Sequence, residues 1–259
     1  MSCLKNLRRI QNGSLRVLKV LFYLALFLFP FSVIFVVFNL LPHGWEFSHG
    51  VIIFLYATIL FFWMAHRQGW GPALRNFFLV MGIALGVEYA GVTTGWPFGV
   101  YHYTPALGFR VMGVPAAILF AWYAAAASSL GFISCFLDSQ KCLFLKAFYS
   151  ALLIVSLDAV LEPTAAFVKY FWIWRAAQIP FINYASWFGI GWGLVLFLQY
   201  PKFEMGRELK YAPAAVYLMQ WILFALTDLR HGFFLPVVVS FALVLGTVML
   251  CEKESPVRR

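Results

Sequence analysis

The chain has 259 residues, 63% of them hydrophobic and 11% charged, with a mean hydropathy of +0.84. Soluble domains run near half apolar and a quarter charged, so this composition excludes them and predicts a polytopic membrane protein, read as one domain over 1–259. The formal net charge of +9 needs no nucleic acid to explain it, because Lys and Arg gather at the cytoplasmic ends of membrane helices.

Lys5, Arg8, Arg9, Arg16 and Lys19 precede an apolar run that is too long for a signal-peptide core and lacks a small-residue cleavage site, so it is read as a first membrane helix. A spanning helix takes roughly 17–25 mostly apolar residues. Eight stretches qualify, near 18–41, 47–65, 77–93, 113–135, 145–162, 184–200, 212–228 and 233–251, the second being the weakest. The fold class expected is therefore all-α, a transmembrane bundle of about eight spans. Eight spans put fifteen Lys and Arg on one side, against Arg110, Lys169, Arg175 and Arg230 on the other. That bias predicts a protein of the cytoplasmic membrane with both termini cytoplasmic. Cys3, Cys135, Cys142 and Cys251 then fall on or near the cytoplasmic side, in no zinc or redox spacing.

The two longest outer connections, 94–112 and 163–183, are aromatic and nearly uncharged. An interfacial belt of Trp and Tyr accounts for part of this. It does not account for the punctuation of TGWPFGVYHYT at 94–104, where Gly95, Pro97 and Gly99 impose a specific backbone path. Irregular backbone at that depth is buried in protein or lines a wet cavity, so both loops are expected to cap a pocket. PAAILFAW at 115–122 and PFINYASW at 180–187 each set Trp seven residues after Pro, a weak sign of a repeat relating spans three and four to five and six.

Four carboxylates lie in or at the ends of the spans: Glu88, Asp158, Glu162 and Asp228. Each costs about 2.5–3.5 kcal/mol at mid-bilayer on insertion scales, which makes an intramembrane acid a functional candidate. Asp158 and Glu162, in SLDAVLEP, are four apart and share a helix face. Two carboxyls that close in a dry site do not both ionise easily, so one is expected to hold a proton; the bland alternative is a structural pair bonded to neighbouring helices or to Arg175. Pro163 is expected to end that helix. Glu88, Gly91 and Gly95 fall along one face, equally consistent with a packing seam. Asp228 is expected to pair locally with Arg230 or to cap the helix end. His102 lies in the first aromatic loop, and His43 and His49 flank Glu46. None of the histidines shows the i, i+4 spacing of a helical metal site, so no metal is called, and no cofactor motif appears.

An apolar pocket with aromatic faces, a protonated acid and water on one side suits protonation of an unactivated carbon–carbon double bond. Aromatic faces stabilise the resulting cation by about 0.5–2 kcal/mol each. Water then adds, or a proton is lost.

The run EYAGVTTGWPFGVYHYTPALG from Glu88 to Gly108, GVP at 113–115, DAVLEP at 158–163, WIW at 172–174 and IPFINYASW at 179–187 resemble the carotenoid biosynthesis membrane family that includes carotenoid 1,2-hydratases of the γ-carotene and bisanhydrobacterioruberin hydratase types. The resemblance covers roughly 45–200. It implies cofactor-independent addition of water to the C1–C2 double bond of an acyclic carotenoid end, with the apolar substrate drawn from the bilayer and other enzymes of the pathway as neighbours. On this basis Asp158 is expected as proton donor, Glu162 as its partner or water-orienting base, and Glu88 as a second acid or base. Trp96, Phe98, Tyr101, Tyr103, Trp122, Trp172, Trp174, Asn183 and Trp187 are expected around the substrate. Glu162-Pro163 stands where the family pattern has Asp-Pro, and Ser186 where it has Gly; both bear on substrate identity. The alternatives left open are an end-group cyclase or isomerase, a proton-coupled transporter, and a carotenoid-binding subunit.

Overall fold

A computed structural model describes residues 2–42, 44–137, 143–199 and 209–254, with side chains from residue 13 onward. His43, Lys141, Cys142, Lys202, Arg207, Arg258 and Arg259 lie outside the described residues, as do the side chains of Cys3, Lys5, Arg8 and Arg9.

Among the described residues, eight helices are long and apolar enough to cross a membrane. They are α1 (Ser2–Val37), α2 (Ser48–Gln68), α3 (Trp70–Thr94), α4 (Ala116–Ile133), α5 (Leu143–Pro163), α6 (Phe181–Leu198), α7 (Ala212–Arg230) and α8 (Phe234–Glu254). The protein is an integral membrane protein. α4 and α5 are the most buried spans, and α1 and α8 the least. Exposed apolar side chains carry no cost on lipid-facing helices, because lipid tails are as apolar as they are.

Two boundaries differ from the sequence expectation for identifiable reasons. α3 begins at Trp70, with only Gly69 (φ 85°) separating it from α2. The polar residues near its start are absorbed into the bundle: Asn76 is buried and donates to Gln68 Oε1 at 3.2 Å, and Gln68 Nε2 donates to the Leu198 carbonyl at 2.7 Å. Pro163 does not stop α5. The chain continues through a wide turn at Thr164–Val168, where the Lys169 N–H reaches the Thr164 carbonyl, five residues back, at 2.8 Å.

The centre of the bundle packs through small residues and interhelical hydrogen bonds. Ser240 Oγ donates to the Ser156 carbonyl at 2.6 Å and accepts from Trp221 Nε1 at 2.6 Å; Tyr217 OH donates to the Leu153 carbonyl at 2.9 Å. α5, α7 and α8 are thereby joined.

The two outer connections are not independent caps. Each contributes a three-residue strand, β1 (Tyr101–Tyr103) from the first and β4 (Trp172–Trp174) from the second, and these pair antiparallel about His102↔Ile173. Between them in the chain, β2 (Arg110–Val111) and β3 (Val114–Pro115) form a small hairpin. The two segments that the Pro–Trp spacing relates share an order of elements. α3–β1–α4 and α5–β4–α6 follow the same course. Pro115 and Pro180 both sit in extended backbone at the starts of α4 and α6, and Trp122 and Trp187 stack with centroids 3.8 Å apart and planes at 12°.

A Cβ at Gly131 of α4 would land on the Pro213 ring of α7. Gly131→Val is expected to lower stability by about 1–3 kcal/mol, as overpacking does, read as an earlier thermal transition of the purified protein in detergent.

Candidate active site

Glu88 reaches the interior from the last two turns of α3. One turn further on, Gly91 leaves the space that a Cβ would close: such an atom would lie 2.7 Å from the Tyr101 hydroxyl and 2.9 Å from the Phe98 ring. Gly95, in left-handed backbone (φ 78°), ends the helix with its N–H on the Gly91 carbonyl at 2.8 Å. The loop then folds over the bundle. Ser186 Oγ of α6 donates to the Pro97 carbonyl at 2.9 Å, and Gly99 (φ 113°) lies against Pro180 and Trp174 with no room for a side chain.

Strand alternation does the rest. Tyr101, Tyr103, Trp172 and Trp174 point inward from the paired strands, while His102 and Ile173 point out. Both tyrosine hydroxyls donate to Glu88 Oε2 at 2.6 Å, and Trp122 Nε1 donates to Glu88 Oε1 at 2.7 Å. Trp172 and Trp174 donate their indole N–H groups to Glu162 Oε2 at 3.1 and 3.0 Å. Asn183 Nδ2 donates to Glu162 Oε1 at 3.1 Å and to Asp158 Oδ2 at 3.0 Å. Asp158 Oδ1 is buried without a hydrogen-bond partner. Each half of the repeat thus holds one glutamate with two aromatic donors from its own strand and one donor from the helix that follows. All of these donors are neutral.

Glu88, Glu162 and Asn183 face a cavity of about 40 Å³, walled by Phe98, Tyr101, Tyr103, Trp172, Trp174 and Trp187. Such a space accommodates water, which needs about 10–15 Å³ of probe-sized room together with polar partners. Burial raises the pKa values of the tyrosine hydroxyls above the usual phenol range. They therefore stay protonated as donors across the physiological range. Among the described residues, no group of three or more His, Cys, Asp or Glu could hold a metal ion.

Most of the residues singled out in the sequence meet here, with some corrections. Trp96 is 71% exposed; the turn between Gly95 and Pro97 throws its ring outward to the rim. Asp158, though only 1% exposed, does not line the cavity and stands behind Asn183. Arg175 is exposed, and the acids take amide, indole and phenol donors instead. Trp122 contributes from behind, through its bond to Glu88 and its stack on Trp187. Asp228 is fully buried and accepts from Thr164 Oγ1 at 2.8 Å, while Arg230 is exposed, so the local ion pair is not formed. The sequence reading missed the walls Ile118, Ala121 and Leu161, which carry no signal beyond being apolar. It also missed the pairing of the two loops, for which the spacing Y-x-Y and W-x-W was the available cue.

The model of the family described as "Carotenoid biosynthesis protein" matches residues 48–247, from the start of α2 into α8 and across every residue of the site. The chain belongs to this family. It is also 30% identical over 172 residues to the bisanhydrobacterioruberin hydratase of Haloarcula japonica, which covers 64% of this chain and 52% of that protein. The chain therefore spans about half the length of the curated relative it matches. No solved structure matches it.

Replacing Glu162 with Leu strands two indole N–H groups and an amide. Unsatisfied buried donors cost about 1–3 kcal/mol, so Glu162→Leu is expected to unfold earlier in detergent than Glu162→Gln, which keeps an acceptor oxygen. Equal transitions for the two would contradict the bonding scheme.

Proposed function

We propose that this member of the carotenoid biosynthesis family adds water across the C1–C2 double bond of an acyclic carotenoid end, giving a tertiary alcohol. The observation that carries the reading is a water-sized cavity faced by two carboxyl groups and ringed by aromatic side chains. The hydratase name of the similar archaeal protein agrees with it.

The two glutamates are equipped differently. Hydroxyls accept as well as donate, while indole and amide N–H groups only donate. Glu88 can therefore hold a proton if one tyrosine hydroxyl turns to accept from it. Glu162, held by N–H groups that cannot turn, is suited to remain a carboxylate. In the proposed reaction Glu88 gives its proton to C2, leaving the tertiary cation at C1. The faces of Trp172, Trp174 and Trp187 stabilise that cation, each by about 0.5–2 kcal/mol. A cavity water bonds to C1 and passes a proton to Glu162. The proton returns to Glu88 through water and the tyrosine hydroxyls, so alkene and water are consumed and the acids are restored. Asp158 fixes Asn183, and through it Glu162, as a positioning residue and not as the donor. Loss of a proton from the cation would instead give a cyclised or isomerised end, but room for water beside the acids favours hydration. The charge bias supports a placement of the acid-lined end of the bundle on the non-cytoplasmic face of the cytoplasmic membrane. The substrate would come from the bilayer, with contact to other enzymes of the pathway.

Expression in cells that accumulate lycopene or γ-carotene, followed by pigment mass, tests the reading. A product heavier by one or two waters is expected, with about a 10²-fold or greater loss of yield in Glu88→Gln and Glu162→Gln and a smaller loss in Asp158→Asn. A pigment of altered chromatography but unchanged mass would replace hydration by cyclisation or isomerisation. Wild-type yield from Glu162→Gln at normal protein level would remove the assignment.

A further inference from the structure

The acid cavity, at about 40 Å³, is too small for a branched hydrocarbon end, yet it adjoins a second space of about 470 Å³. The larger value lies within the roughly 300–1,000 Å³ typical of small-molecule pockets. Ala121 and Leu161 line both spaces, which therefore meet at these two side chains. Ala121 precedes Trp122 on α4, and Leu161 precedes Glu162 on α5. Each therefore lies beside a member of the acid site, and the α4 residue at the junction carries only a methyl group.

The larger chamber is built on α1, α2, α5 and α7, with Phe35, Ile53 and Phe224 among its walls. Four of its polar side chains are turned to other partners. Ser32 donates to the Leu28 carbonyl, Gln220 to the Val216 carbonyl, Thr164 to Asp228, and Lys169 to the Val36 carbonyl and Asn39. Most of the remaining wall is apolar, which suits an uncharged hydrocarbon. The α1 wall lies outside the stretch matched by the family model, which starts at residue 48.

We propose that this chamber is the binding site for the polyene of the substrate, closed on one side by α1, and that the end group reaches the acids between Ala121 and Leu161. The proposal rests on the reading of the chain as acting on a linear carotenoid end. It makes Ala121 and Leu161 specificity-determining residues, because they set the width of what passes, and it gives α1 a part in binding that the family-matched region alone does not supply.

Crosslinking in lycopene-containing membranes tests this without perturbing the site. p-Benzoylphenylalanine is placed at position 35, facing the chamber, or at position 78 on α3, where Phe78 is 65% exposed. After illumination, an adduct of lycopene mass, or of lycopene plus water, is expected at least ten-fold more often from position 35. Equal yields at the two positions, or adducts of bilayer lipid alone at position 35, would overturn the proposal. Ala121→Phe is expected to retain the adduct at position 35 and to lose at least ten-fold in hydrated product; wild-type product from that variant would likewise overturn it. The two readings fail separately. Hydrated product without an adduct at position 35 removes the chamber and leaves the reaction. An adduct at position 35 with pigment of unchanged mass removes the reaction and leaves the chamber.

Discussion

Among the described residues, three of the four buried carboxyl groups, Glu88, Asp158 and Glu162, gather at one site inside an apolar bundle, each bonded to neutral donors. A buried polar group without partners costs several kcal/mol in such a medium, so donors have to be brought to the acids. Helical backbone cannot supply them, because its N–H groups are already used within the helix. The donors are instead side chains: four from the two outer connections, and Trp122 and Asn183 from the helices that follow them. That requirement shapes much of what lies above the site. The loops must dip inward, which Gly91 and Gly99 permit by leaving space. Each loop must also present two rings on one side, which a strand does for residues two apart.

The matching order of elements gives this arrangement its form and leaves it chemically uneven. The same course of helix, strand and helix delivers Glu88 in one half and Glu162 in the other, and the paired strands bring both to one cavity. The donor sets differ: two phenols and an indole for Glu88, two indoles and an amide for Glu162. Two matched carboxylates would have no reason to divide the work of acid and base. Reversible hydroxyl donors on one and fixed N–H donors on the other supply such a reason.

Much of this was legible in the sequence. All eight helices could be read from apolar runs and charge bias, and the glycines and proline of 94–104 marked a loop bent over a pocket. The Pro–Trp spacing at 115–122 and 180–187 pointed to two segments that share a helix–strand–helix order and stack their tryptophans, though proline and tryptophan are too common here for the spacing alone to carry a repeat. What could not be read depends on direction. Nothing local to Trp96 says that its ring points out while Tyr101, five residues later, points in; that follows from pairing with a strand some seventy residues away. Asp158 and Glu162 share a helix face by spacing, yet only the position of Asn183 on α6 decides which of them meets the cavity. Ser186, a departure from the family's glycine, could be read as a change in the substrate site. The structure gives it a more specific contact, holding the first loop to α6 through the Pro97 carbonyl.

Asp158 remains the most exacting residue to explain. One of its oxygens shares the Asn183 amide with Glu162, and the other has no partner although it is buried. Of the three acids it is therefore the one that can take a proton without displacing a donor. The hydrogen bonds of one asparagine join the carboxyl behind it to the carboxyl that faces the cavity. In the proposed reaction, this shared amide would let Asp158 respond to the charge on Glu162. This accounts for two acids four residues apart on α5 although only one of them faces the cavity.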